Sequence, residues 1–96
     1  MLKDRLKKQS GDRLREVRKS LGLTQGEFSK YLGYSSLTSV RDWENNRTPT
    51  SLSTEQRTNL HQDGVNLLYI DVDEGDYIRP GFTHPQVREN ILNRMK

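Results

Sequence analysis

Residues 23–47 read LTQGEFSKYLGYSSLTSVRDWENNR, and the fold is decided by how this stretch divides. Thr24-Gln25-Gly26-Glu27 fits a capping box, in which the Thr24 hydroxyl accepts from the amide three residues on and Glu27 reaches back. The helix it opens carries Phe28 and Leu32 at i and i+4 and stops at Gly33. Tyr34-Ser35-Ser36 then forms a short link, with Ser36 as a new N-cap candidate. The next helix turns Val40 and Trp43 inward at i and i+3. Asn45-Asn46 ends it, Asn46 being a residue that tolerates the left-handed conformation. Two short helices therefore meet at a glycine-containing turn.

Outward from this pair the pattern stays helical. Before it, GDRLREVRKSL (residues 11–21) sets Leu14, Val17 and Leu21 on one stripe at i, i+3, i+7, and Gly22 supplies the stop. After it, Thr48-Pro49 is a loop. Ser53-Thr54-Glu55-Gln56 is a second capping box, opening a helix over about residues 54–62 that buries Leu60, with Leu52 placed as a staple and Gly64 as the break. Asn66 can cap a short helix holding Leu67, Leu68 and Ile70. The expectation is an all-α, compact five-helix unit over residues 11–70, preceded by a basic arm or helix extension at 1–10. Residues 71–96 make a separate extension. Asp71 to Ile78 reads as a small hairpin or an irregular acidic loop. Thr83-His84-Pro85 then places Pro85 at the first position of a helix whose Val87, Ile91, Leu92 and Met95 form an apolar stripe. A helix this short does not stand alone in water. The stripe must dock on the domain or on a second copy, and it is the candidate surface for self-association or partner binding.

Composition narrows the function. The chain has 96 residues, 16 Lys+Arg and 13 Asp+Glu. Leu, Ile, Val and Phe account for 22 of them, which supports only a small core. With no cysteine there is no disulfide framework and no thiolate zinc site. His61 and His84 are too few and too far apart for a metal site. The acidic run Asp71, Asp73, Glu74, Asp76 lacks the ligand order of a calcium loop. No apolar run approaches ~18 residues, and no signal-peptide core follows the start, so a soluble, cytoplasmic protein without cofactor is expected. No nucleophile–base pair or phosphate-cradling glycine loop is present, which argues against an enzyme. Charge is lopsided: residues 1–50 hold 11 Lys+Arg against 6 Asp+Glu, residues 51–96 hold 5 against 7. A basic front with an acidic rear suits a polyanion-binding module.

The residues Leu23-Thr24-Gln25, Glu27, Phe28, Leu32, Gly33 and Val40-x-x-Trp43-Glu44-Asn45 resemble the lambda-repressor-like, Cro-type helix-turn-helix family of phage and bacterial regulators. GDRLREVRKSLG is similar to that family's first helix, and Leu60-His61-x-x-Gly64-Val65-Asn66-Leu67 to its closing helices, so the resemblance covers about residues 11–70. It implies a second helix that lies in the major groove and reads bases near its amino end. Leu37, Thr38, Ser39, Arg41 and Asp42 are then the base-reading candidates. Arg41 suits guanine, Leu37 a thymine methyl, and Asp42 a cytosine amino group or a neighbouring arginine. Gln25 resembles the family's phosphate-anchoring glutamine, and Asn45 and Arg47 its backbone contacts; Ser36 and Arg13 join the phosphate-binding candidates. The turn is one residue longer than the family pattern, Gly26 sits inside the supporting helix at a cost of ~1 kcal/mol against alanine, Ser29 stands where the family favours alanine, and Asn46 replaces a glycine.

The resemblance implies a double-stranded DNA-binding transcriptional regulator, a phage or prophage repressor reading a palindromic operator as a homodimer, in a bacterial host and open to an antirepressor. The alternative is an antitoxin that represses its own promoter and holds a toxin with its carboxy-terminal segment.

Overall fold

Leu14, Val17 and Leu21 are all buried at the centre of the packing, as their spacing requires. The computed structural model describes residues 8–96. Among them it holds six helices: α1 (Ser10–Ser20), α2 (Gln25–Tyr31), α3 (Thr38–Glu44), α4 (Thr54–Asp63), α5 (Leu67–Val72) and α6 (His84–Arg94). Helix α1 packs on α3 and α5, α2 on α3 and α6, and α4 on α5 and α6. Leu14, Phe28, Leu60, Ile70 and Ile91, from five different helices, are fully enclosed. The radius of gyration, 13.0 Å, is that of a compact chain of about this length.

Local chemistry sets the helix ends. The Thr24 hydroxyl accepts from the Glu27 amide at 3.0 Å while the Thr24 amide donates to Glu27 Oε1 at 2.9 Å. Ser53 and Gln56 repeat the arrangement at 3.1 and 2.8 Å. Asn66 Oδ1 accepts from the Leu68 amide at 3.1 Å. Helix α2 is followed by Gly33 at φ 92° and α3 by Asn46 at φ 57°.

Three local expectations are corrected. Asp71 and Val72 belong to the last turn of α5, so of the two readings of 71–78 the hairpin is set aside, and residues 73–77 form the irregular acidic loop. Instead Ile78 returns to Val65 as an isolated antiparallel bridge. Pro85 is the second residue of α6, with His84 first and Thr83 as N-cap. Leu37 occupies the N-cap position of α3, and Ser36 stands one residue outside it. The basic residues Lys3, Arg5 and Lys7 of the expected arm lie outside the described residues.

Helix α6 is docked within the chain. Val87 and Ile91 are fully buried, and Leu92 and Met95 are half-buried against the same core. This differs from a stripe offered to a second copy: the nearest apolar surfaces, on α2 and α4, already cover it. Polar contacts seat it. Asp63, at the end of α4, accepts from Arg94 Nε at 2.8 Å, Arg94 Nη2 at 2.9 Å and the Tyr31 hydroxyl at 2.7 Å. Burial, and behind it the Asp63 carboxylate, push the Tyr31 hydroxyl far above its ordinary range, so it remains a donor. Arg88 Nε donates to the Leu21 carbonyl at 3.0 Å, and His84 Nε2 meets the Ser20 carbonyl.

Gly26 lies in the first turn of α2, where a Cβ would meet only Thr24 Oγ1 at 3.8 Å. Gly26→Ala should therefore raise stability by about 1 kcal/mol through helix propensity alone. A urea midpoint that rises at unchanged slope is the expected reading; a lower midpoint would mean this face of α2 is occupied.

Candidate nucleic-acid interface

Helix α3 has two faces of opposite character. Val40 is fully buried and Trp43 nearly so, and Tyr34 meets the Trp43 ring edge-on with centroids 5.9 Å apart. On the other face Leu37 (38% exposed), Thr38 and Arg41 are open to solvent, with Ser39 and Asp42 half-buried beside them. Arg41 Nε stands 4.0 Å from Asp42 Oδ1, a loose pair whose exposed partner, the Arg41 guanidinium, is free to rearrange. The extra residue of the turn is absorbed before the helix starts: Ser36 Oγ accepts from the Thr38 amide at a long 3.4 Å, and Thr38 is the first helical residue.

A buried ionic network holds this helix to its support. Glu44, the last residue of α3, is 2% exposed. Its carboxylate takes a two-pronged bond from Arg18 of α1, Nε to Oε2 at 2.7 Å and Nη2 to Oε1 at 2.9 Å. Arg18 Nη1 donates to the Leu23 carbonyl at 2.8 Å, and Gln25 Nε2 donates to Glu44 Oε1 at 3.0 Å. One carboxylate thus ties α1 and the first residue of α2 to the carboxy-terminal end of α3, and Arg18 adds the chain leading into α2. Paired guanidinium–carboxylate geometry of this kind fixes orientation as well as distance.

Residues 14–54 match a family model described as helix-turn-helix. This segment is a helix-turn-helix domain of the lambda-repressor/Cro type. No curated protein and no solved structure matches the chain at a significant level. The all-α fold is lambda-repressor-like, with α2 and α3 as the two helices of the motif, and the domain is that of a DNA-binding transcriptional regulator.

Within the helix-turn-helix, Leu37, Thr38 and Arg41 share one open surface with Ser36, and Asn45 and Arg47 follow, exposed, just past its second helix. Gln25 is half-buried at the start of its first helix. One of its amide hydrogens is committed to Glu44; the other, and the amide oxygen, face no such commitment in that bond. Asn46, in place of a glycine, adopts the left-handed conformation and donates from Nδ2 to Asp12 Oδ1 at 3.0 Å. The Gln9 amide, and after it Asn46, hold the Asp12 carboxyl below its ordinary value. Ser29 fits the helix crossing at 2% exposure, its hydroxyl without a partner among the described residues.

Arg13 is placed differently from the flanking phosphate contact expected of it. It is 6% exposed and donates to the carbonyls of Ile70 (2.9 Å), Lys8 (2.7 Å) and Asp71 (3.1 Å). Two of these belong to the last turn of α5, where unsatisfied carbonyls and the helix dipole favour a cation. The Arg18–Glu44 pair was missed by sequence reasoning, which counts arginine on a helix as surface. A signal existed in the register: Arg18 comes four residues after Leu14 and three before Leu21, on the apolar stripe itself.

Proposed function

We propose that this protein is a phage- or prophage-type repressor that reads an operator in double-stranded DNA through the major groove, as a homodimer on a palindromic site. The observation that carries the reading is the two-sided α3: Val40, Trp43 and Glu44 anchor it from within, while Leu37, Thr38 and Arg41 stand outward at its amino end. A helix with its side chains is ~10–12 Å across and the major groove ~12 Å wide, so a helix held this way can enter. In this reading Arg41 bonds a guanine edge, Thr38 and Ser39 bond bases or phosphates, Leu37 packs on a thymine methyl, and Asp42 accepts from a cytosine amino group or steadies Arg41. Gln25, Ser36, Asn45 and Arg47 take phosphates. One module contacts few bases, and two on a palindrome, their reading helices ~34 Å apart, supply the selectivity. The seating of α6 by Asp63 supports this reading over an antitoxin whose tail waits for a toxin to order it. No helix among the described residues is long and apolar enough to cross a membrane, and action on DNA in a bacterial cytoplasm belongs to the same proposal.

Selection from random duplexes at two salt concentrations tests it. Recovery of no preferred sequence would refute the reading. On the selected site, Arg41→Ala should cost about tenfold in affinity and relax preference at one base pair. Arg47→Ala should weaken all duplexes alike and lower the salt slope by about one. Gel-shift titrations across single-base variants separate the two patterns, and an Arg41→Ala protein with intact preference would place base reading elsewhere on α3.

A further inference from the structure

A cleft of about 560 Å³ opens between α2 and the turn that follows it, a size within the ~300–1,000 Å³ of small-molecule sites. Gly26, Ser29 and Lys30 line one wall, at i, i+3 and i+4 of α2 and so on one face of that helix. Residues 34–37, the turn with the extra residue, line the other. The α2 wall carries three features that nothing in the chain answers. Gly26 weakens a helix relative to alanine, yet a Cβ there would meet only Thr24 Oγ1 at 3.8 Å, so no neighbour requires glycine. The Ser29 hydroxyl, on a residue 2% exposed, has no hydrogen-bond partner among the described residues, a costly state for a buried donor. Lys30 is exposed, and no carboxylate among the described residues pairs with it. Across the cleft, half-buried Tyr34 and exposed Leu37 supply apolar surface, and no acidic side chain lines the space.

We propose that this cleft binds a small organic anion with a flat apolar ring, an aromatic carboxylate, and that such a molecule releases the protein from DNA. The carboxylate takes the Lys30 ammonium and the hydroxyls of Ser29 and Ser36, all donors. The ring lies along Tyr34 and Leu37, and the bare backbone at Gly26 lets it approach α2 closely. A phosphate ion or a phosphodiester meets the charge of Lys30 but leaves Tyr34 and Leu37 uncovered. Ser36 and Leu37 also belong to the surface offered to DNA, so the bound molecule and the duplex claim the same residues. That second half of the proposal rests on the DNA-binding reading above; the first half does not.

Sodium benzoate is the probe, titrated into the full chain without DNA at constant ionic strength and followed by amide NMR shifts. The amides of Gly26, Ser29, Lys30 and residues 34–37 should shift and saturate, with benzoate held about tenfold more tightly than inorganic phosphate, which lacks the ring, or benzyl alcohol, which lacks the charge. Lys30→Met should weaken benzoate about tenfold, whereas Lys19→Met, on α1, should leave it unchanged. Gly26→Ala should weaken it severalfold although that variant is expected to be the more stable, which separates loss of the site from loss of the fold. No saturable shift in the cleft, or indifference to Lys30→Met, would overturn the site. Phosphate bound as tightly as benzoate would overturn it too, and would make the cleft a contact for the DNA backbone. On the selected duplex, saturating benzoate should lower affinity about tenfold, within the usual range of coupling between sites. Unchanged affinity there would overturn release from DNA while leaving the cleft and the DNA-binding reading in place. Failure to select any duplex would count against that reading alone, since the benzoate titration uses no DNA.

Discussion

Glu44→Ala should lower the unfolding free energy by about 3–5 kcal/mol, the cost of removing one member of a buried ion pair. The reason is the charge left behind. Arg18 is 7% exposed, and three of its bonds run to Glu44 and the Leu23 carbonyl. Without the carboxylate its guanidinium keeps a single neutral acceptor in a site closed to water. A domain of this size has about 5–14 kcal/mol of stability in all, so the variant should lose between about a fifth and all of it. Urea unfolding followed by Trp43 fluorescence measures the loss directly. The double variant Arg18→Met, Glu44→Leu should recover most of it, because apolar groups of similar volume replace a buried pair at little cost. That variant should still bind DNA less well than the parent, since Gln25 loses the group that orients its amide. A loss under about 1 kcal/mol for Glu44→Ala would show that water reaches the pair, as it does for exposed ion pairs.

Gly11→Ala should destabilise by about 3 kcal/mol, at the upper end of overpacking effects, although alanine is the better helix former by about 1 kcal/mol. Packing wins here because of what the methyl would strike. A Cβ on Gly11 would lie 1.9 Å from the Trp43 carbonyl oxygen and 3.0 Å from its carbonyl carbon. Neither atom can rotate away, since both belong to the backbone of α3. The start of α1 and the end of α3 must separate, and Asn46 Oδ1, 2.6 Å from the same point, is displaced with them. The contrast with Gly26→Ala, expected to move the other way, makes a matched test in one protein. A thermal melt with Gly11→Ala as stable as the parent would mean that α1 and α3 do not cross this closely.

Much of the fold was legible because its signals are local. The Thr24/Glu27 and Ser53/Gln56 boxes, the Asn66 cap, and the stops at Gly33 and Asn46 each depend on residues within one turn of one another. The inward set Leu14, Val17, Phe28, Val40 and Trp43 followed from helical periodicity. What escaped depends on distant parts of the chain. Arg13 reads as a flanking phosphate contact and Arg18 draws no partner, because nothing nearby shows that the carbonyls of Ile70 and Asp71, or the Glu44 carboxylate, will close over them. The apolar stripe of α6 was plain, but whether Val87 and Ile91 met their own domain or another copy depended on Asp63 and Tyr31 reaching Arg94. The stretch Asp71 to Ile78 stays open between a hairpin and an irregular acidic loop, because apolar residues flank its acidic turn and nothing local shows that α5 runs on through Asp71 and Val72. Of the candidate interface, the open positions of Leu37, Thr38 and Arg41 followed once Val40 and Trp43 were set inward, whereas the anchoring of Gln25 by Glu44 did not.

Along α3 the residues that hold the helix and those that face outward are different residues. Val40, Trp43 and Glu44 carry stability; Leu37, Thr38 and Arg41 carry none of the buried contacts. If the outward set reads bases as proposed, exchanging it alters which sequence is preferred while the scaffold underneath stays put. On that proposal a lineage built on this frame can drift to a new target site by a few surface changes, and an engineer can retarget it the same way, without repacking anything.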